Sequence, residues 1–217
     1  MREPYCECSM TNDLSSRVEL LLAKPYPTRK DVEAHCNKAR AENYRSVTVA
    51  SSLVQLAYDL VADEGVKVSC LVGYPFGQSD ADVKRYEVEA AIDFGAHEIE
   101  LVPSIGRLVE GDYQSVLREI RDVVTAADER SVRVSIEYPI WSEEQLTEIV
   151  AMVLDSGAHF ISTSVAPPLG REQSVDVVHK LRSLAGANFG LKVGGVKEGG
   201  DLLSFMQAGA NRIGLLA

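Results

Sequence analysis

Lys192 is the residue whose setting points most directly to chemistry. It stands in the run Gly190-Leu191-Lys192-Val193-Gly194-Gly195, flanked by apolar residues. If that run is a strand, alternation sends Leu191 and Val193 to one face and Lys192 to the other. The same parity turns Glu98 and Glu100 away from Ile99 and Leu101, Thr48 away from Val47 and Val49, and Ser162 away from Ile161. Glu137 closes a further β-branched run, and Glu19 lies within another. An amine among carboxylates and hydroxyls can attack a carbonyl, with a carboxylate carrying its proton. The inert alternative is an ion pair of Lys192 with Glu100 or Glu137 that only holds the fold. Burying an unpaired ammonium is costly, so chemistry or ligand binding explains the lysine better than stability does.

Elements that could place these residues together recur along the chain. Three times an amphipathic stretch ends in Gly-Ala and a short strand-like run follows: Gly95-Ala-His, Gly157-Ala-His and Gly209-Ala-Asn. With the β-branched runs, this predicts eight strands at 17–22, 46–50, 66–72, 98–102, 132–137, 160–163, 190–193 and 212–215. Helices are predicted between them at 28–42, 52–64, 81–94, 112–127, 142–156 and 174–184, each with apolar residues at three- and four-residue spacing. Alternating strands and helices give a parallel sheet, and eight units favour an α/β fold closed as a TIM (β/α)8 barrel. An open doubly wound sheet is the alternative, but no glycine-rich dinucleotide fingerprint follows the first strand. The expected organisation is an N-terminal extension, 1–16, and one barrel domain, 17–217. The chain stops at Ala217, directly after the eighth strand, so the last helix is expected to be absent or truncated. That edge would be covered by a partner subunit or a second copy in a homo-oligomer.

In such a barrel, ligands bind at the C-terminal ends of the strands. Ser162, Lys192 and Glu100 are expected there as catalytic candidates, with Glu137 at the end of the fifth strand. Thr48, Glu19, Gly194, Gly195 and Arg171 are the substrate-binding candidates. Gly194-Gly195 offers bare backbone for an anion, and Arg171 is the one cation in the proline-stiffened loop after strand six. His97 and His159 fall at the opposite, N-terminal ends of their strands.

Composition narrows the field further. The 217 residues carry 22 basic and 32 acidic side chains, a net charge of −10 spread along the helices, with no basic stripe interleaved with aromatics. Nucleic acid is therefore not an expected partner. No apolar run reaches the roughly 20 residues of a membrane span, and the start lacks a signal-peptide layout. Four cysteines are too few for a disulfide scaffold and suggest a reducing, cytoplasmic setting. Cys6 and Cys8 form a lone Cys-x-Cys, read as terminus rather than metal site. No metal and no cofactor is expected.

At these residues the chain resembles the deoxyribose-phosphate aldolases, class I aldolases that form a Schiff base with acetaldehyde and join it to glyceraldehyde 3-phosphate. The resemblance runs from about Val18 to Gly214. It is carried by Lys24-Pro25, Gly73-Tyr-Pro-Phe-Gly77, Val83-Lys84 with Glu87, Gly95-Ala-His-Glu-Ile-Glu, Ile105-Gly106 with Gly111-Asp-Tyr113, Ile136-Glu137, Leu191-Lys192 with Gly194-Gly195, and Ala208-Gly-Ala-Asn-Arg-Ile-Gly214. It implies a barrel, a small carbonyl substrate with or without a phosphate, and a lysine nucleophile on strand six. This chain instead reads Phe160-Ile-Ser-Thr-Ser-Val-Ala-Pro167, placing Ser162 where that lysine stands. By the same resemblance, Glu100 takes the place of a relay aspartate, Thr48 of a cysteine, and Glu19 and Leu21 of an aspartate and a threonine. Ala166-Pro167 and Leu215-Leu216 replace glycines and serines of the phosphate site.

Three functions follow as expectations. The first is an aldolase-like lyase that makes or breaks a carbon–carbon bond through Lys192, with Glu100 or Glu137 moving protons. The second is an inactive homologue that binds a small molecule or assembles with a partner. The third is an enzyme without a covalent intermediate, using Lys192 as cation or general acid and Glu100 as base.

Overall fold

The computed structural model describes residues 14–62, 64–165 and 173–216. Eight parallel strands close into a barrel in chain order: β1 (Val18–Leu21), β2 (Ser46–Ala50), β3 (Lys67–Val72), β4 (Glu98–Leu101), β5 (Ser131–Ser135), β6 (Phe160–Ser162), β7 (Gly190–Lys197) and β8 (Arg212–Leu216). The six expected helices are present: α1 (Arg29–Ala41), α2 (Val54–Val61), α3 (Ala81–Asp93), α5 (Tyr113–Ala126), α6 (Glu143–Asp155) and α7 (Val175–Ala185). Two short ones are added, α4 (Ile105–Val109) and α8 (Leu202–Gln207). Both are under two turns, too short for the periodicity that reveals the others. Among the described residues no helix is long and apolar enough to cross a membrane. The N-terminal extension lies mostly outside the described residues, as does Arg171.

The caps show why the helices start where they do. Thr28 before α1 and Ser142 before α6 each accept the third backbone N–H, and Asp31 and Gln145 reach back to complete capping boxes. The Gly-Ala joints work at the other end. Gly95, Gly157 and Gly209 have φ of 97, 85 and 107°, a left-handed turn in which a side chain is strained. The residue two places on then clamps the sheet. His97 and His159 accept the N–H groups of Val68 and Val132 through Nδ1, at 3.1 and 3.2 Å, and Asn211 accepts that of Leu191 through Oδ1 at 2.9 Å. Each donates its own N–H back to the same residue's carbonyl. The repeated tripeptide thus joins β3 to β4, β5 to β6 and β7 to β8 at the N-terminal face.

One strand departs from expectation. β7 does not end at Val193 but runs on to Lys197, with a register irregularity between Val193 and Val196. Gly195, at φ 71°, absorbs the extra residue. Gly194 and Gly195 therefore sit inside the strand rather than in a loop after it.

Alternation sorts the barrel as expected. Val47, Val49, Ile99, Leu101, Ile161, Leu191 and Val193 pack outward in the main core with the helices. Their neighbours of opposite parity face the lumen, which is filled by side chains in layers from alternate strands.

Candidate active site in the barrel lumen

The strand register assembles the lumenal residues from the bottom up. Glu98, Phe160 and Arg212 lie toward the N-terminal end, with the Arg212 guanidinium 4.1 Å over the Phe160 ring. Glu19, Ser69, Arg133 and Lys192 come from β1, β3, β5 and β7, and Thr48, Glu100, Ser162 and Gly214 from the strands between. Above them Leu21, Leu71, Val102 and Val165 form a separate apolar cluster, against which Tyr74 and Leu216 pack. Charge fills the lower lumen and hydrocarbon the upper.

Lys192 is fully buried in this charged zone. Its Nζ donates to Glu100 Oε2 and pairs with Glu19 Oε2 at 2.8 Å. Arg133, also without exposure, donates to Glu98 Oε2 and Ser69 Oγ and holds its Nε 3.6 Å from both Glu19 Oε2 and Glu100 Oε2. Arg212 reaches Glu19 at 3.1 Å and Glu98 at 2.8 Å. Glu19, Glu98 and Glu100 thus meet Lys192, Arg133 and Arg212, and Arg45 at 2.7 Å and Lys67 at 3.9 Å also pair with Glu98, which satisfies the requirement that buried charge be paired. Burial pushes the Glu19 carboxyl up, but Arg133, Lys192 and Arg212 together outweigh it and hold it well below the usual carboxylate range. Glu98 is lowered in the same way, its burial offset chiefly by Arg133. Gly214 leaves room for the lysine: a Cβ there would stand 2.9 Å from Lys192 Cε and 3.4 Å from Nζ.

Glu137 stands apart from this network. The lumenal partners of Lys192 are Glu100 and Glu19; the expected alternative pair with Glu137 does not form. Glu137 adopts a left-handed backbone, φ 50°, beyond the end of β5. Its carboxylate accepts from Ser135 Oγ at 3.3 Å, Ser164 Oγ at 3.0 Å and the Val165 N–H at 3.2 Å. Burial pushes its carboxyl up, and those hydrogen bonds only partly oppose this.

Ser162 is the register partner of Lys192 and is fully buried, with its hydroxyl donating to the Ser164 carbonyl at 3.2 Å. The Gly194 N–H donates to Thr163 Oγ1 at 3.1 Å, and a Cβ on Gly194 would fall 1.7 Å from the Ser164 carbonyl oxygen. Gly194 therefore locks β7 against β6 and does not present its N–H to the mouth. Thr48 Oγ1 and Glu100 Oε1 are buried and have no hydrogen-bond partner among the described residues.

A deoxyribose-phosphate aldolase of Bdellovibrio bacteriovorus is 36% identical over 202 residues, covering 93% of this chain and 91% of its own. The chain belongs to the deoxyribose-phosphate aldolase family. A second such aldolase, from Thermococcus gammatolerans, is 33% identical over 207 residues, covering 93% of this chain and 92% of that relative. Among solved structures, the aldolase QR15 superposes with a TM-score of 0.86 at 26% identity, covering 94% of this chain and 91% of that one. The tetrameric deoxyribose-phosphate aldolase of Aeropyrum pernix gives 0.85 at 28%, covering 94% and 87%. No profile of a known protein family matches the chain.

Ser69, Arg133, Arg212 and Gly214 belong to the lumenal network but are not among the candidate site residues read from the sequence, although Arg212 and Gly214 stand in the motif Ala208–Gly214. Arg133 was legible in principle. Val132-Arg133-Val134-Ser135 alternates as Leu191-Lys192-Val193 does, and the same parity argument sends the arginine inward. Gly214 alternates with Ile213 and Leu215, so parity turns it inward, but the space it leaves beside a lysine 22 positions earlier shows only once the barrel is closed.

Proposed function

We propose that this aldolase-family chain is a carbon–carbon lyase acting on a small aldehyde or ketone, with Lys192 supplying the amine that Ser162 cannot. One observation carries the reading: the Lys192 ammonium, inside the barrel of an aldolase family member, donates to Glu100 and pairs with Glu19. Glu100 takes a proton from the ammonium, and the freed amine adds to the substrate carbonyl carbon to give a carbinolamine. Glu100 returns the proton as water leaves, forming the imine. A base at the mouth takes the proton of the β-hydroxyl, the bond between the α and β carbons breaks to release an aldehyde, and its electron pair passes into the iminium to give an enamine; protonation at the enamine carbon and hydrolysis then free the amine, and in the reverse direction the same enamine attacks an aldehyde. Thr48 and Ser162 supply hydroxyls to hold the carbinolamine oxygen. Glu137, its proton affinity raised by burial, is suited to exchange protons at the mouth. A phosphate on the substrate would meet the backbone at Gly195, within the extended β7. By likeness to the tetrameric Aeropyrum pernix enzyme, we expect a homo-oligomer.

The test is aldehyde release from a panel of β-hydroxy aldehydes and ketones, with and without phosphate, by wild type and Lys192→Ala. Release that Lys192→Ala abolishes while the protein stays folded supports the lyase. A second reading, a non-catalytic binding or assembly subunit, draws on a different observation: each carboxylate of the charged network is ion-paired, and the network lies beneath the apolar Leu21, Leu71, Val102 and Val165. No release from any substrate by the wild type favours that reading.

A further inference from the structure

Lys192 does not face its carboxylates alone. Glu19 Oε2 and Glu100 Oε2 each lie between two cationic nitrogens, Lys192 Nζ on one side and Arg133 Nε at 3.6 Å on the other. The four groups form a square of alternating charge, with Arg133 pinned through its other nitrogens to Glu98 and Ser69. The Nε itself makes no hydrogen bond among the described residues, so its relation to Glu19 and Glu100 is purely one of charge. A guanidinium does not lose its proton in a protein, whereas a lysine ammonium can. Of the two cations in the square only Lys192 can become neutral, and when it does the Arg133 guanidinium keeps a fixed positive charge beside the carboxylates.

We infer that Arg133 is a positioning residue for Lys192, holding the carboxylates they share and providing the permanent charge that allows the lysine to release its proton. The inference rests on the reading of Lys192 as the reacting amine. The other charged groups are placed differently. Arg212 on β8 contacts Glu19 through Oε1 and also serves Glu98, while Arg45 and Lys67 reach only Glu98. Ser162 and Gly214, beside Lys192 on β6 and β8, carry no charge. Without Arg133, Glu100 has Lys192 as its only cationic partner among the described residues, and the ammonium is held more tightly.

The test follows the lysine itself. Protein labelled with ¹⁵N at the lysine side chains is titrated by NMR, with the Lys192 signal assigned by its loss in Lys192→Met. Arg133→Gln should keep Lys192 as ammonium to a pH about one unit higher than wild type, a tenfold smaller fraction of free amine at a given pH. Arg133→Lys should restore the wild-type curve. Arg133→Gln combined with Glu98→Gln should show the same displacement while also removing the carboxylate to which Arg133 donates. Identical ammonium fractions in wild type and both glutamine variants at every pH up to about 10 would overturn the inference, as would a Lys variant displaced as far as the Gln variant. The titration uses no substrate, so it stands apart from the lyase assay: failure of wild type to release aldehyde counts against the function, and unchanged titration counts against Arg133.

Discussion

Replacing Lys192 by Met removes one charge from a closed network and strands another. Glu19 keeps Arg212 at 3.1 Å and Arg133 at 3.6 Å, but Glu100 loses its one hydrogen-bond donor among the described residues and retains only Arg133 at 3.6 Å. Breaking a buried ion pair from one side costs about 3–5 kcal/mol, because the remaining charge stays out of water. In a chain of 217 residues each kcal/mol lowers the melting temperature by about 2–4 °C, so Lys192→Met should lower it by about 6–20 °C. Adding Glu100→Gln removes the stranded charge and should recover most of the loss. Thermal and urea unfolding of wild type, both single variants and the double variant at pH 7 give the coupling directly. A Lys192→Met protein within about 1 kcal/mol of wild type, or one that Glu100→Gln fails to rescue, would refute the claim that these two groups depend on each other.

Other consequences follow from the same geometry. Gly214→Ala places a methyl against Lys192 Cε and 3.3 Å from the Gly194 Cα, so it should cost about 1–3 kcal/mol in urea unfolding and displace the amine, lowering aldehyde release more than stability. Because Glu19 and Glu98 have lowered affinities for protons in the fold, their stabilisation is complete above the unfolded value near 4.5 and is lost as pH falls below it; unfolding monitored against pH should show acid lability that Glu19→Gln flattens. Glu137 has the opposite sign. Its raised proton affinity helps the fold below about 4.5 and is lost as pH rises through the folded value, so Glu137→Gln should gain stability relative to wild type from pH 4 to pH 8. Asn211→Ala removes the acceptor for the Leu191 N–H and for Arg182 and should cost about 1–3 kcal/mol, measured by urea unfolding, without altering the chemistry at the other face.

The barrel was legible because each of its rules is local. Alternation in Glu98-Ile-Glu-Leu, the three Gly-Ala joints and the spacing of apolar residues in six helices depend on neighbours a few positions apart. The strand through Gly194 and Gly195 was not, since two glycines look like a turn until β8 and Ser164 are seen packing against them. Inward parity for Lys192, Glu100, Thr48 and Ser162 could be read directly from the chain, but the choice of partner could not. Whether Lys192 met Glu19, Glu100 or Glu137 turned on strand register and on the left-handed backbone of Glu137, which swings that carboxylate toward Ser164. Alternation with Val132 and Val134 turns Arg133 inward, but its partners Glu98 and Ser69 are set only when the barrel closes.

The central claim is that Lys192 is the amine of a lyase site, and trapping tests it most directly. Wild type and Lys192→Arg are incubated with small aldehydes and ketones, reduced with borohydride and mapped by peptide mass. A reduced adduct on the peptide containing Lys192, absent from Lys192→Arg, is the predicted result. No adduct on that peptide across the panel, or one on another lysine that persists in Lys192→Arg, would contradict it.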